Sequence, residues 1–285
     1  MGGTIDLNVN RYAEGSGITV GGFSSEFNGD LSYCFSRINI ITRNQYNAEV
    51  GGLLGILGAD SSIENCYATG SVHSIITWGG SSIAYIGGLV GEKRSGATIN
   101  DSYALGNVIV DNQSQGANCE VNVGGLVGHN YGDITNSFAA GRVSGKSASN
   151  TNGRSYAGGL IGSRSSGIIK DNAVLGASVT AQAPTGRVFA RRISGDQMYA
   201  SDNASNNRAI QSMRVEVGVY TDTYLNNTAP TDGGNYNNEH GRTFADNAFF
   251  YHDFWTTGLG FSDEHWDFSK VGIEGFPRLR NVDGQ

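Results

Sequence analysis

Small or apolar residues alternate with polar ones along three related stretches. They are Ile63-Glu64-Asn65-Cys66-Tyr67-Ala68-Thr69-Gly70-Ser71-Val72, Ile99-Asn100-Asp101-Ser102-Tyr103-Ala104-Leu105-Gly106-Asn107-Val108 and Ile134-Thr135-Asn136-Ser137-Phe138-Ala139-Ala140-Gly141-Arg142-Val143. In the first, Cys66, Ala68, Gly70 and Val72 share one parity, and their counterparts in the other two are also small or apolar. The opposite parity carries Ser71, Asn107 and Arg142, which favour water. A period of two predicts strands, with the small set facing inward and the rings of Tyr67, Tyr103 and Phe138 facing outward.

A second phrase precedes each of these: Gly51-Gly52-Leu53-Leu54-Gly55, Gly87-Gly88-Leu89-Val90-Gly91, Gly124-Gly125-Leu126-Val127-Gly128, and again Gly158-Gly159-Leu160-Ile161-Gly162. With a fainter copy at Val20-Gly21-Gly22-Phe23, the leading glycines Gly21, Gly51, Gly87, Gly124 and Gly158 stand 30, 36, 37 and 34 residues apart. That is the spacing at which one supersecondary unit stacks on the next. Each repeat has room for three short strands and their turns, which pair in parallel with the equivalent strands of the next coil. Asn65, Asp101 and Asn136 then fall at one turn of every coil, where an Asx residue tolerates left-handed backbone. Around the double glycine both parities are apolar, so this strand is covered on both faces, by the C-terminal region, a loop or another molecule.

The pattern weakens after Val179. Thr185-Gly186-Arg187-Val188-Phe189-Ala190 keeps the rhythm without the glycines, Asp202-Asn203-Ala204 repeats the turn, and Tyr220 to Asp246 is a polar connection. The chain closes on Phe249-Phe250-Tyr251-His252-Asp253-Phe254-Trp255, Leu259-Gly260-Phe261, Trp266-Asp267-Phe268 and Phe276-Pro277-Arg278-Leu279. So much aromatic surface predicts a cap over the open edge of the last coil. The fold expected is therefore all-β, a right-handed parallel β-helix of about six coils. Residues 1–19 form a lead-in, 20–210 the helical repeats, and 211–285 the connection and aromatic cap.

Composition narrows the function. Charged residues make up 16% of the 285 positions and the net charge is -7, so there is no basic footprint for nucleic acid. No apolar run is long enough to span a bilayer, so no membrane insertion is expected of these residues. The three cysteines, Cys34, Cys66 and Cys119, form neither a disulfide framework nor a metal-ligand spacing. Cys34 and Cys66 share a repeat position, which fits either a bridge between rungs or two reduced buried thiols.

Chemistry-bearing clusters are few. None of the five histidines lies in a His-Glu-x-x-His arrangement. Glu264-His265-Trp266-Asp267 and His252-Asp253 place imidazoles beside carboxylates, which reads as the solvated edge of a cap, with a metal or acid-base site as the alternative. Glu64, Asp101, Asp133 and Asp171 stand at most one per coil beside turns, without the carboxylate pair that glycoside chemistry needs. Neither a catalytic residue nor a metal site is expected, and calcium on the acidic and amide residues of 222–246 lacks a twelve-residue loop to support it. The candidate ligand-binding residues are Tyr67, Tyr103 and Phe138, whose rings would form a flat amphipathic strip for sugar rings or apolar side chains. The competing reading is that these rings only stack and pack under loops.

The paired phrases resemble the GLUG repeat, found in bacterial surface proteins, adhesin-like chains and non-catalytic parts of IgA-specific metallopeptidases. The closing Phe254-Trp255, Trp266-Asp267-Phe268 and Pro277-Arg278-Leu279 are similar to the segment that ends such arrays. The resemblance implies a secreted module on the bacterial cell surface, with signal peptide and anchor outside these residues, that adheres to an extracellular protein or glycan without catalysing a reaction. Two alternatives are a rigid spacer of a larger secreted peptidase and a β-helical carbohydrate-active enzyme.

Overall fold

The structure, a computed structural model, describes residues 2–9, 17–77, 80–196, 204–219 and 240–285. The expected turn at Asp202-Asn203 and the connection from 220 to 239 lie outside them. The chain winds into an all-parallel β-solenoid of about six turns. One full coil runs through Ala48–Gly51, Leu54–Leu57, Ser62–Glu64, Tyr67–Ala68 and Val72–Ile76, so there are five short strands per coil rather than three. The extra two escape a reading by period because pieces such as Tyr67–Ala68 and Ser62–Glu64 are too short to display one.

Register follows the phrases. Tyr67 pairs with Tyr103 and Tyr103 with Phe138, while Gly51 pairs with Gly87 and Gly87 with Gly124. Leu53, Leu89, Leu126 and Leu160 are fully buried in one continuous core. Stacking begins earlier than the lead-in reading allows, since Gly3–Asn8 already pairs in parallel with Ile38–Asn44. The turn column is as expected: Asn65, Asp101 and Asn136 take φ of 52°, 43° and 46°, and Asp171 and Asn206 extend it at 58° and 51°.

The double glycines allow a close approach of backbone, and the cover over their strand has a different source from those anticipated. A Cβ on Gly88 would lie 2.1 Å from the Gly125 carbonyl oxygen and 2.9 Å from the Ala104 Cβ, and one on Gly91 would lie 2.6 Å from the Val50 nitrogen. The chain therefore doubles back at this corner, and the close cover around these glycines comes from neighbouring rungs rather than from an outside segment. In the last coil Arg191 and Arg192 take the places of the glycine pair, Arg191 opposite Gly158. The buried Arg192 donates to the Thr243 hydroxyl at 2.7 Å and the Gly241 carbonyl at 3.0 Å.

Inside the coils, small polar side chains form a second ladder. The hydroxyls of Ser102 and Ser137 accept from the backbone N–H of Cys66 and Ser102, both at 3.2 Å, and the thiol of Cys66 accepts from that of Cys34 at 3.3 Å. Cysteine thus replaces serine as an acceptor on this column, and both thiols are free. Burial pushes the Cys66 thiol up to about 12, and only the thiolate is reactive. Alkylation of the native protein followed by mass spectrometry should label the partly exposed Cys34 at least about tenfold faster than Cys66; equal rates would contradict the packing.

Lys93 is the most unusual interior residue. It is fully buried on the column of Leu57 and Asn130, and its Nζ donates to the Ala97 carbonyl at 2.6 Å. Burial pulls its pKa from 10.5 down to about 7. Between pH 7 and 10.5 the unfolded chain binds a proton there that the folded chain does not, so this lysine makes stability rise with pH across that window. Below about pH 7 its charging penalty is present in full. Urea unfolding at pH 7 and pH 9.5 should show a gain for the wild type that is largely absent in Lys93→Met.

Candidate functional site

Strand pairing aligns the three aromatic residues as the sequence suggests. Phe35, Tyr67, Tyr103 and Phe138 stack with centroid separations of 5.1, 5.0 and 4.8 Å and interplanar angles of 8° or less. They are not an open strip, however, for Tyr67 and Phe138 are 0% exposed and Tyr103 is 3% exposed. What covers them is the C-terminal segment. It lies along the side of the solenoid, which corrects the expectation of a cap over its end.

This strap starts at the last rung, where Arg242–Phe244 pairs with Arg208–Ile210. The helix His252–Leu259 follows, capped by Gly260 in the left-handed region at φ 71°, and it presents Phe254, Trp255 and Leu259 to the core. Asn206 and Asn136 of the turn column donate to the carbonyls of Gly258 at 2.9 Å and Leu259 at 3.1 Å. Trp255, Trp266 and Phe276 then close on Phe138 at 5.3, 5.7 and 5.8 Å. The Trp266 indole N–H donates to Asp101 Oδ1 at 2.7 Å. A short antiparallel pair, Trp266–Asp267 with Arg278–Leu279, turns the strap onward. Its last residues reach the early coils, where the Tyr67 hydroxyl donates to the Asp283 carbonyl at 2.7 Å and the Tyr103 hydroxyl to Gln285 Oε1 at 2.9 Å. Burial holds both phenols above their ordinary pKa.

A second pair of columns flanks the glycine corner. The residue two places before each leading glycine is Glu49, Tyr85, Asn122, Tyr156 and, opposite Tyr156 on the next rung, Phe189. Five places after the glycine stand Ile56, Glu92, His129 and Ser163. The columns meet where Tyr85 stacks on His129 at 4.7 Å, with Tyr131 edge-on to that imidazole at 4.5 Å. Tyr156 stacks on Phe189 at 5.8 Å, and the Arg191 guanidinium sits 4.5 Å above Phe189. Burial pushes the Tyr85 phenol up to about 12 and the Glu49 carboxyl above its ordinary range, the latter helped by the negative charge of Glu92. Glu49 accepts from the Thr19 hydroxyl at 3.2 Å, and Arg94 lies 3.4 Å from Glu92 and 2.9 Å from Glu26. These positions were open to a reading of the sequence, because the glycine frame recurs while they change in every coil.

Of the acid and imidazole clusters read from the sequence, His252 lies 3.7 Å from Asp253, both well exposed. Donor atoms of His265, Glu64 and Asp101 come within 4.8 Å of one another. The four carboxylates named along the repeats, Glu64, Asp101, Asp133 and Asp171, stay one to a rung.

The fold and these columns define a parallel β-solenoid with a glycine corner and a lateral strap. The GLUG motif is matched at residues 46–72 and 120–144, so the chain carries GLUG repeats. Halomucin of Haloquadratum walsbyi is 34% identical over 131 residues, which are 44% of this chain and 1% of that protein. The chain thus spans about one hundredth of that relative's length. The crystal structure of a proposed immunoglobulin A1 protease from Bacteroides ovatus superimposes with a TM-score of 0.48 at 18% identity, covering 98% of this chain and 86% of the other.

Proposed function

We propose that this chain is a non-enzymatic extracellular surface module that binds a glycan along the columns beside the glycine corner. The observation that carries this reading is the contrast between constant and varied positions. Glycines, core leucines and the turn column repeat rung after rung, whereas Glu49, Tyr85, Asn122 and Tyr156 present a carboxylate, two phenols and an amide at one repeated place. Tyr85 and Tyr156 stand two rungs apart, about 10 Å at strand spacing. Tyr85 is half-buried and Tyr156 9% exposed, so with their faces stacked on His129 and Phe189 it is ring edges that they offer to a sugar, while Asn122 between them is buried. GLUG repeats and the halomucin match support placement at a surface. Among the described residues no helix is long and apolar enough to cross a membrane.

A non-catalytic role is favoured by how the nearest carboxylates are engaged. Glu49 is hydrogen-bonded by Thr19, and Glu92 is paired with Arg94, so both carboxylates are engaged by partners within the chain. Glycan-array binding of the wild type and of Tyr85→Ala/Tyr156→Ala tests the proposal. The double variant is expected to bind at least about tenfold more weakly, since two ring contacts are lost. Binding to no glycan, or binding unchanged in the variant, removes this reading and leaves the rigid spacer.

A further inference from the structure

We propose that Glu64, Asp101 and His265 form a binding site for one divalent transition-metal ion of the Zn²⁺ class, which pins the strap to the solenoid. The three residues arrive from different places. Glu64 ends the strand Ser62–Glu64, Asp101 follows the paired strand Thr98–Asn100 one rung on, and His265 belongs to the strap. One donor atom from each lies within 4.8 Å of the others.

Two features prepare the site. The Trp266 indole holds Asp101 Oδ1 at 2.7 Å and so fixes how the carboxylate is presented, the orienting role that partners of metal ligands play. On the strap side, the His265 N–H donates to the Ser262 carbonyl at 3.1 Å and its carbonyl accepts from Arg280 N–H at 2.8 Å, which anchors the backbone behind the imidazole. Among the described residues no lysine or arginine forms an ion pair with Glu64 or Asp101, so the charged group beside the two carboxylates is the His265 imidazole. Asn65, next to Glu64 and one rung from Asp101, is 1% exposed, and neither its Oδ1 nor its Nδ2 has a hydrogen-bond partner. A water on the ion would supply one.

The donor set chooses the metal. One imidazole nitrogen with two carboxylate oxygens suits zinc-like ions, whereas calcium and magnesium prefer all-oxygen shells of six or more. Bonds of about 2.0–2.2 Å put tetrahedral donors about 3.4 Å apart, so closure needs a movement of about 1 Å, which the partly exposed Glu64 side chain can make.

Isothermal titration with ZnCl₂ on the full chain, with thermal unfolding alongside, decides the matter. One zinc per chain is expected to bind saturably and, at a hundredfold excess over the dissociation constant, to raise the unfolding temperature by about 5 °C or more. Glu64→Gln and His265→Gln change opposite elements, and each should weaken binding at least about tenfold while unfolding without metal at the wild-type temperature. Absence of saturable binding, undiminished binding in the Glu64→Gln/His265→Gln double variant, or equal affinity for Ca²⁺ would each overturn the assignment. Because Tyr85 and Tyr156 take no part, the outcome is separable from that of the glycan experiment.

Discussion

Trp266→Ala is expected to lower the free energy of unfolding by about 3–5 kcal/mol, the range for removing a fully buried large aromatic side chain. The indole is 0% exposed and touches Phe261, Phe138 and Tyr103 at centroid distances of 4.9, 5.7 and 6.2 Å, and its N–H is the bond that holds Asp101. Truncation therefore combines a cavity with a half-buried carboxylate that loses its donor, and desolvation already holds that carboxylate above its ordinary pKa. The loss should show in urea as a shifted midpoint. It should also show in limited proteolysis as early trimming of residues 246–285 from an otherwise intact solenoid. A cost under about 1 kcal/mol, with the strap still protected, would mean that the covering of the aromatic column contributes little.

Gly88→Ala is expected to cost about 3 kcal/mol, the upper end for overpacking a close-packed interior. The added methyl would meet the Gly125 carbonyl at 2.1 Å, and that oxygen belongs to the backbone of the next rung, so no rotamer change can relieve the contact. Gly272→Ala serves as the control. Nothing lies within 4 Å of its added carbon, so the change should stay within about 0.5 kcal/mol. If both substitutions cost the same, the corner is looser than its contacts indicate.

The stacking of coils could be read in advance because each rung repeats the same chemistry at the same offset. Tyr67, Tyr103 and Phe138 announce their own alignment, and the Asx residues at 65, 101 and 136 announce their turn. The strap could not be placed this way. Its bonds join residues far apart in the chain, such as Tyr103 to Gln285 and Asp101 to Trp266, separated by 182 and 165 positions. Composition showed that the tail is aromatic, but a ring carries no signal of which apolar face it will cover. The candidate strip was thus correct as geometry, and it is closed because the tail that was expected at the end of the stack occupies it. The glycine corner misled in the opposite sense. Apolar residues on both parities do report burial on both faces, but the cover can come from the chain's own reversal, and one rung's sequence does not distinguish that from an external partner.

A strap that runs from the final rung back to Tyr67 gives the molecule a gauge of its own height. Ordinary solenoids gain or lose a coil by adding or deleting one repeat. Here each inserted coil would lengthen the stack by about 4.8 Å, leaving Asp283 and Gln285 short of their hydroxyl partners unless the tail grew in step. Coil number and tail length are thereby tied, and duplication of a single repeat, harmless in an open array, would unfasten this one.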